Sequence, residues 1–545
     1  MPSHAVLIHG LHVTLIILYL MTLAVLTLYG FHRYVQVYLY YKHLKNVPQP
    51  RGTFDTLPLV TVQLPMFNER YVAARVIESA CKLDYPRELL QIQVLDDSTD
   101  ESADITRIAC EKMAALGHNI VYLHRTNRAG YKAGALENGL RTATGEFVLI
   151  FDADFVAPRD MIHRSIHHFT DNAVGCVQSR WDHLNRDQSL LTECQAIFLD
   201  GHFLIEHTAR NRSGRFINFN GTAGIWRKSA IIDAGNWQHD TLTEDMDLSY
   251  RAQLRGWNFV YLTDLLSPAE LPPEIASFKQ QQHRWTKGAV QTGRKLLPTI
   301  LKAKLPLRVK TEAFFHLTSP AVYIPAVILS LILYPTFSGT DVNFNPLSPH
   351  GFGPWIAVMT LCGLLTASAG TFYMVSQKAI GNNPWKTFLM IPLLMALGMG
   401  ISVMNALAVL EGLFGRKNTE FVRTPKYGSG FGSGTAASGD WKRRAGTFKR
   451  KINLVPFLEL TFGLYMLGCL VMSLWTRTAL GAAPFLFIFT VGYLYVGVLT
   501  LYGQFISSRA RRKSFVASLP TATPALVIPT TVTIGEREPE AVAVS

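Results

Sequence analysis

Six stretches of this chain, residues 13–31, 314–335, 355–376, 387–414, 454–475 and 484–506, hold no more than one charged residue each. Each is about 20 residues or longer, the length at which a helix crosses the hydrocarbon core of a bilayer. A long polar block separates the first from the second, enough chain for an α/β domain with its own core. The order is therefore anchor, soluble domain, helical bundle. The first stretch reads as an anchor and not as a cleaved signal peptide: no Lys or Arg precedes it and no small-residue cleavage site follows.

The formal net charge of +13 would suit nucleic acid, but the basic residues collect beside apolar stretches. Arg33, Lys42, Lys45 and Arg51 follow the first; Lys302, Lys304, Arg308 and Lys310 precede the second; RARRK follows the last. Positive charge flanking spans marks the cytoplasmic side, so the expected partner is a lipid bilayer, not a nucleic acid. The six cysteines include no CxxC pair, which argues against a zinc site or a disulfide framework. The expected protein is multi-pass, in the plasma or inner membrane. Its parts are an anchor at 1–34, a cytoplasmic α/β domain at 50–300, interfacial and spanning helices at 301–415, a basic cytoplasmic loop at 416–453, further spans at 454–507 and a disordered cytoplasmic tail at 508–545. Three full spans between the domain and Arg416 would put the basic loop outside. The stretch 387–414, broken by Gly398 and Gly400, is therefore expected to be a span followed by an interfacial helix, or a re-entrant pair.

Within the polar block, short β-branched runs (LVTVQLP from Leu59, QIQVLDD from Gln91, NIVYLHR from Asn119, EFVLIFDAD from Glu146) alternate with amphipathic stretches. That alternation predicts a mostly parallel sheet with helices on both faces, and ligands bind beyond the carboxyl ends of such strands. The first strand runs out into Pro65, Asn68 and Glu69, the second into Asp97. These groups can meet a base or ribose, although each cluster alone reads equally well as a helix start.

FDADF places Asp152 and Asp154 two apart after the fourth strand, where both carboxylates could meet one Mg²⁺ or Mn²⁺ ion bridging the phosphates of a donor. Lys132 opens a helix, where its charge opposes the helix dipole and calls for a phosphate or carboxylate beside it. In TLTEDMDL, Glu244 and Asp245 are candidate catalytic carboxylates, with Asp245 the base; the same run could be Thr243 capping a helix. In KQQQHRWTKG, Gln281 and Arg284 suit a diphosphate, and Trp285 offers a ring face to a sugar.

In their order and spacing, DDS, FDADF, TED and QQHRW resemble the processive family 2 glycosyltransferases, the group of cellulose, chitin and hyaluronan synthases. VQLPMFNE, QIQVLDDSTD, GYKAGAL, FNFNGTAGIWR, EDMDL and KQQQHRW look like the cellulose-synthase-like proteins that make mannan or glucan backbones. The likeness is close over 59–288 and holds only in outline for the bundle. It implies an α/β domain of GT-A type inserted in a helical transmembrane bundle, a nucleotide diphosphosugar donor, Mg²⁺ or Mn²⁺, and inversion to a β linkage. Carried over by residue, Pro65, Asn68, Glu69, Asp97, Lys132 and Asp152 would contact the donor nucleotide, and Asp152 and Asp154 the metal. Asp245 would be the base beside Glu244, and Gln281, Arg284 and Lys426 would meet the diphosphate. Trp285, Asn220, Gly221 and Thr222 would meet the acceptor.

The run Phe421 to Lys426 resembles the gating loop of that family, with Arg423 and Pro425 departing from its pattern. The motifs do not separate UDP-glucose from GDP-mannose, with UDP-glucose the favoured donor; Trp285 and the number of spans favour processive synthesis of a β-glucan or β-mannan, with glycosylation of a membrane lipid as the alternative. A transporter or receptor that only binds a nucleotide sugar would not need metal carboxylates and a separate base. Nothing in the sequence bears on oligomeric state.

Overall fold

A computed structural model describes residues 2–338, 352–415, 423–428 and 454–518. Helix α1 (Pro2–Lys42) precedes the α/β domain. In the domain follow β1 (Val60–Met66), α2 (Ala73–Cys81), β2 (Leu90–Asp96), α3 (Ser102–Ala115), β3 (Ile120–His124), α4 (Tyr131–Thr142), β4 (Phe147–Ile150), α5 (Met161–Ile166) and β5 (Val174–His183). Then come α6 (Leu190–Asp200), a π-helical turn at Gly201–His207, α7 (Thr208–Arg212), β6 (Gly224–Arg227), α8 (Lys228–Asp233), α9 (Glu244–Leu254) and β7 (Asn258–Ala269). The first four strands are the four expected from the sequence.

The strands form one sheet in the order β3-β2-β1-β4-β6-β5-β7, parallel except for β6, which runs antiparallel to both β4 and β5. Alternation along β1 explains how both faces are buried. Val60, Val62, Leu64 and Met66 enter one apolar core with Ile92, Val94, Phe147 and Leu149. The intervening Thr61 and Gln63 are equally buried, and each donates to its neighbour on β2, Thr61 to Gln91 Oε1 at 2.8 Å and Gln63 to Gln93 Oε1 at 3.0 Å. A buried amide needs a partner, so these rungs also hold the register that aligns the strand ends.

After the domain come α10 (Ile275–Lys302), α11 (Leu307–Thr318), α12 (Tyr323–Ser338), α13 (Phe352–Ala379), α14 (Pro384–Gly400), α15 (Ser402–Phe414), α16 (Val455–Thr476) and α17 (Ala483–Ser518). Among the described residues, four helices are long and apolar enough to cross a membrane: Gly10–Lys42, Leu307–Ser338, Val455–Thr476 and Leu480–Phe505. α14 and α15 qualify together but bend by 46° at their junction. The break expected near Gly398 and Gly400 falls at Ile401, where a Cβ on Gly400 would lie 2.3 Å from Val496 Cγ2 of α17. Leu191, Ile197, Ile275, Phe278, Leu394, Leu397 and Val496 form one cluster that joins the α/β domain to these helices.

Three boundaries differ from expectation. The first helix continues past residue 34 to Lys42, and the helix ending at Ser338 starts upstream of Phe314. The chain through RARRK is helical to Ser518, so residues 508–518 are not a disordered tail; a helix already nucleated over α17 extends at little cost through residues of good propensity. The remainder of that expected tail, and Phe421, Val422 and most of the basic loop, lie outside the described residues.

Candidate active site

At the carboxyl ends of β1, β2 and β4 the chain leaves a cavity. Pro65, Glu69, Asp97, Lys132, Asp152, Asp154, Asn220, Gly221, Glu244, Asp245, Gln281, Arg284, Trp285 and Lys426 all line it. Two expected contacts, Asn68 and Thr222, are not among the residues that line it. Asn68, held at φ 56°, uses its Oδ1 to accept from the Thr99 amide at 2.8 Å, while its own amide donates to Ser98 Oγ at 2.8 Å. Thr222 is buried and accepts from the Asp152 amide at 2.8 Å, so it fixes the FDADF backbone and does not face the cavity. Asp100 takes the Ser102 amide at the start of α3, the helix-start role that its cluster also allowed.

β4 ends at Ile150, and Asp152 to Asp154 form a turn, not the extended segment that would aim both carboxylates at one point. Each carboxylate instead meets a lysine. Lys132 Nζ lies 2.5 Å from Asp152 Oδ1 and donates to the Gly221 carbonyl at 2.9 Å. Lys426 forms an ion pair with Asp154. Among the described residues no group of three or more His, Cys, Asp or Glu is arranged as a metal cage. The hard-oxygen pair Asp152 and Asp154 nonetheless fits Mg²⁺ or Mn²⁺, which typically take one or two carboxylates and complete their shell with substrate phosphates and water.

Glu244 and Asp245 are the first two residues of α9, where the helix dipole favours negative charge. The Asp245 carboxylate accepts from the Met246 amide at 2.8 Å. Thr243 does not cap the helix; its hydroxyl bonds Thr292 on α10 at 3.1 Å. The two motifs meet because α10 carries Gly288 against that point, where a Cβ would be 2.6 Å from Thr243 Cγ2. Burial and the neighbouring Glu244 push Asp245 up to about 7. Burial also raises Glu244, against the opposing pull of Lys132. Lys132 is held above its ordinary value although burial works against it, because Asp152, Glu244 and Asp245 surround it. Gly221 brings backbone against this group: at φ 81° a Cβ there would sit 2.9 Å from Asp245 Oδ2.

The sequence reading missed several lining or supporting residues. Arg125 binds Asp97 through both Nε (2.7 Å) and Nη2 (2.5 Å), so that carboxylate is already charge-paired. Arg423 pairs with Glu69 at 2.7 Å and donates to the Phe67 carbonyl at 3.1 Å. The buried Tyr427 donates to Glu274 at 2.9 Å, and its amide donates to Glu270 at 2.8 Å. Residues 423–427 thus cross the cavity as a strap tied at both ends. Trp181 lies beside Trp285, with ring centroids 6.5 Å apart and planes tilted by 56°. The clue to Arg125 lay in NIVYLHR, whose last residue was read only as the end of a strand.

The chain is similar to known proteins in sequence. Residues 58–288 match the family model described as "Glycosyltransferase like family 2". Glucomannan 4-beta-mannosyltransferase 1 of Oryza sativa subsp. japonica is 39% identical over 60% of this chain and 70% of its own length. Glucomannan 4-beta-mannosyltransferase 2 of Arabidopsis thaliana is 46% identical over 46% of this chain, which spans about half (48%) of that relative. Among solved structures, the mannosyltransferase PcManGT from Pyrobaculum calidifontis in complex with GDP-Man and Mn²⁺ aligns with 65% of this chain and 97% of its own at 22% identity and a TM-score of 0.48, too distant to transfer anything to this protein. On the family match and the relatives that cover most of its domain, the chain belongs to the cellulose-synthase-like family 2 glycosyltransferases and is a hexosyltransferase.

Proposed function

We propose that this protein is a membrane-embedded, inverting transferase that moves mannose from GDP-mannose to a growing β-1,4-linked glycan, with its α/β domain on the cytoplasmic side. The observation that carries the reading is Asp245, raised to about 7 and half-buried beside the buried Glu244, in the same cavity as Lys132, Arg284 and Trp285. A carboxylate tuned towards neutrality can take a proton from a sugar hydroxyl and then be regenerated at ordinary pH. The names of the plant relatives favour mannose over glucose.

In this reading the acceptor hydroxyl attacks the anomeric carbon of the donor sugar as Asp245 receives its proton. The bond from that carbon to the diphosphate breaks, and the bonding pair leaves with GDP. Arg284, Gln281, Lys132 and Lys426 meet the charge that develops on the diphosphate. Asp152 and Asp154 would hold Mg²⁺ or Mn²⁺, which neutralises the leaving diphosphate when bound. Trp285 supports the terminal acceptor sugar, and the strap 423–427 keeps water from the donor. Basic residues flanking the apolar helices support the cytoplasmic orientation.

The test is transfer by purified protein in nanodiscs from radiolabelled GDP-mannose or UDP-glucose, with and without Mn²⁺ or Mg²⁺, beside Asp245→Asn. Metal-dependent label in a polymer degraded by β-mannanase and absent in the variant is the expected result. Label degraded only by β-glucanase would replace the donor, and label in the lipid fraction would replace the polymer with a glycolipid.

A further inference from the structure

Behind the cavity wall the chain makes a full π-helical turn, Gly201–His207, which α-helical residues rarely adopt and which recurs at functional sites. The turn is pressed against α13, where a Cβ on Gly201 would lie 2.4 Å from Phe372 Cε1. It brings two histidines and a glutamate together around Asn220. His202 Nδ1 is 2.9 Å from Glu206 Oε2, and His202 Nε2 is 3.0 Å from His207 Nε2 and 3.2 Å from Asn220 Nδ2.

The protons in this cluster follow from its chemistry. Arg210 and His202 hold Glu206 below the carboxylate range although burial opposes them, so Glu206 is an acceptor, and His202 must donate to it from Nδ1. His207 is fully buried, and burial drives it well below its ordinary value; it is therefore neutral and carries one proton. Its Nδ1 has no partner, and a buried acceptor is left unpaired at less cost than a buried donor, so the proton sits on Nε2. In the tautomer with His202 neutral and its proton on Nδ1, Nε2 is the shared acceptor, its one lone pair divided between His207 Nε2–H and the Asn220 amide nitrogen. That orients the amide, and it leaves Asn220 Oδ1 as a buried acceptor without a partner, in a side chain that lines the cavity.

Glu206 is itself clamped. Arg210 donates to it at 3.2 Å and to Glu312 of α11 at 2.9 Å, and Glu312 also takes Gln36 of α1 at 2.5 Å and lies 3.2 Å from His32. The chain of contacts from Asn220 therefore ends on the first apolar helix. We propose that His202 is a positioning residue of the acceptor site: it holds Asn220 so that Oδ1 receives a hydroxyl hydrogen of the incoming sugar chain, with Glu206, Arg210 and Glu312 tying that geometry to the membrane-proximal helices. This rests on the reading of Asn220 as an acceptor contact.

The experiment measures transfer to soluble β-1,4-mannotetraose, from whichever donor supports turnover, by full-length protein in nanodiscs carrying Asn220→Ala, His202→Ala, both together, or His202→Asn. Hydrolysis of the donor without acceptor is followed in parallel. The expected result is a roughly 10-fold rise in acceptor KM for each single variant, larger than any change in donor KM or donor hydrolysis, with the double variant no worse than Asn220→Ala. His202→Asn, which keeps the contact to Glu206 and loses the one to Asn220, should match His202→Ala. Additive effects, or a parallel loss of donor hydrolysis, would overturn the positioning role. An effect at Asn220 with none at His202 would also overturn it while leaving the acceptor reading intact. Normal acceptor KM in Asn220→Ala would remove that reading and this proposal with it.

Discussion

Lys426 closes an ion pair with Asp154 although 272 residues separate them in the chain. Its ammonium thereby occupies a carboxylate assigned above to the divalent ion, and Arg423, on the same strap, neutralises Glu69. In the proposed mechanism the strap competes with metal for Asp154 and meets phosphate during turnover. Lys426→Ala should lower the Mn²⁺ concentration needed for half-maximal activity several-fold while reducing kcat roughly 10- to 100-fold, since a hydrogen bond to a charged group contributes about 1.5–3 kcal/mol. A metal titration of transfer rate in both proteins checks the two effects together. A fall in kcat with no change in metal requirement would separate Lys426 from Asp154 in the working enzyme.

The position of Asp245 makes a statement about pH. Its carboxyl rises from 3.8 to about 7 on folding, so between these values the native protein holds a proton that the unfolded chain has released. Stability from this group accordingly falls as pH rises through that window and is level above it. Activity goes the other way, because the base must be ionised. The rate at saturating substrate should climb through an acid limb near pH 7 that belongs to Glu244 and Asp245 as a pair. Asp245→Asn should lower kcat by about 10²–10⁴-fold, leave donor affinity largely intact, and flatten the loss of thermal stability between pH 4 and pH 7.

Much of this site was legible because the residues concerned sit where chain geometry forces them to be. β1, β2 and β4 could be read from β-branched runs, and in a parallel sheet their carboxyl ends must share an edge, so Glu69, Asp97 and Asp152 had to converge. β5, β6 and β7 escaped the same treatment. Only four residues of GIWR pair as a strand, and they were read as part of an acceptor motif; β7 needs two register shifts to follow β5. Asn68 and Thr222 were placed in the right loops, but Asn68 bonds Ser98 and Thr99 and Thr222 is buried on the Asp152 amide, and such local partners are invisible to a motif. The π-turn had no sequence signature at all, since it arises where Gly201 lets α13 approach.

A second ion pair should matter for stability more than for chemistry. Lys279, on the face of α10 opposite the cavity, places Nζ 2.7 Å from both carboxylate oxygens of Glu459 in α16, with both side chains almost fully buried. Removing one partner leaves the other charge stranded, at a cost of about 3–5 kcal/mol, whereas replacing both by apolar residues is close to neutral. Glu459→Leu should therefore reduce the melting temperature in detergent clearly, and Lys279→Met with Glu459→Leu should recover most of the loss. If the double variant is as unstable as the single one, the pair contributes more than mutual neutralisation.

Gly221 tests whether close backbone approach sets the base. With φ at 81° the residue lies in the left-handed region, where an L side chain costs about 1–2 kcal/mol, and the Cβ would also press on Asp245 Oδ2 at 2.9 Å and approach Lys132 Nζ at 3.4 Å. The ends of both side chains can yield, so Gly221→Ala should fold, but with the base turned away from the path of the acceptor hydroxyl. A misplacement of that size can cost about 100-fold in rate. The variant should therefore bind donor nearly as well as the parent, retain its melting temperature to within the backbone strain, and lose kcat about 100-fold at every pH, without the shift of the acid limb that a change in the ionisation of Asp245 would bring. Loss of donor binding in step with kcat would instead mean that Gly221 acts through Lys132, whose ammonium donates to its carbonyl.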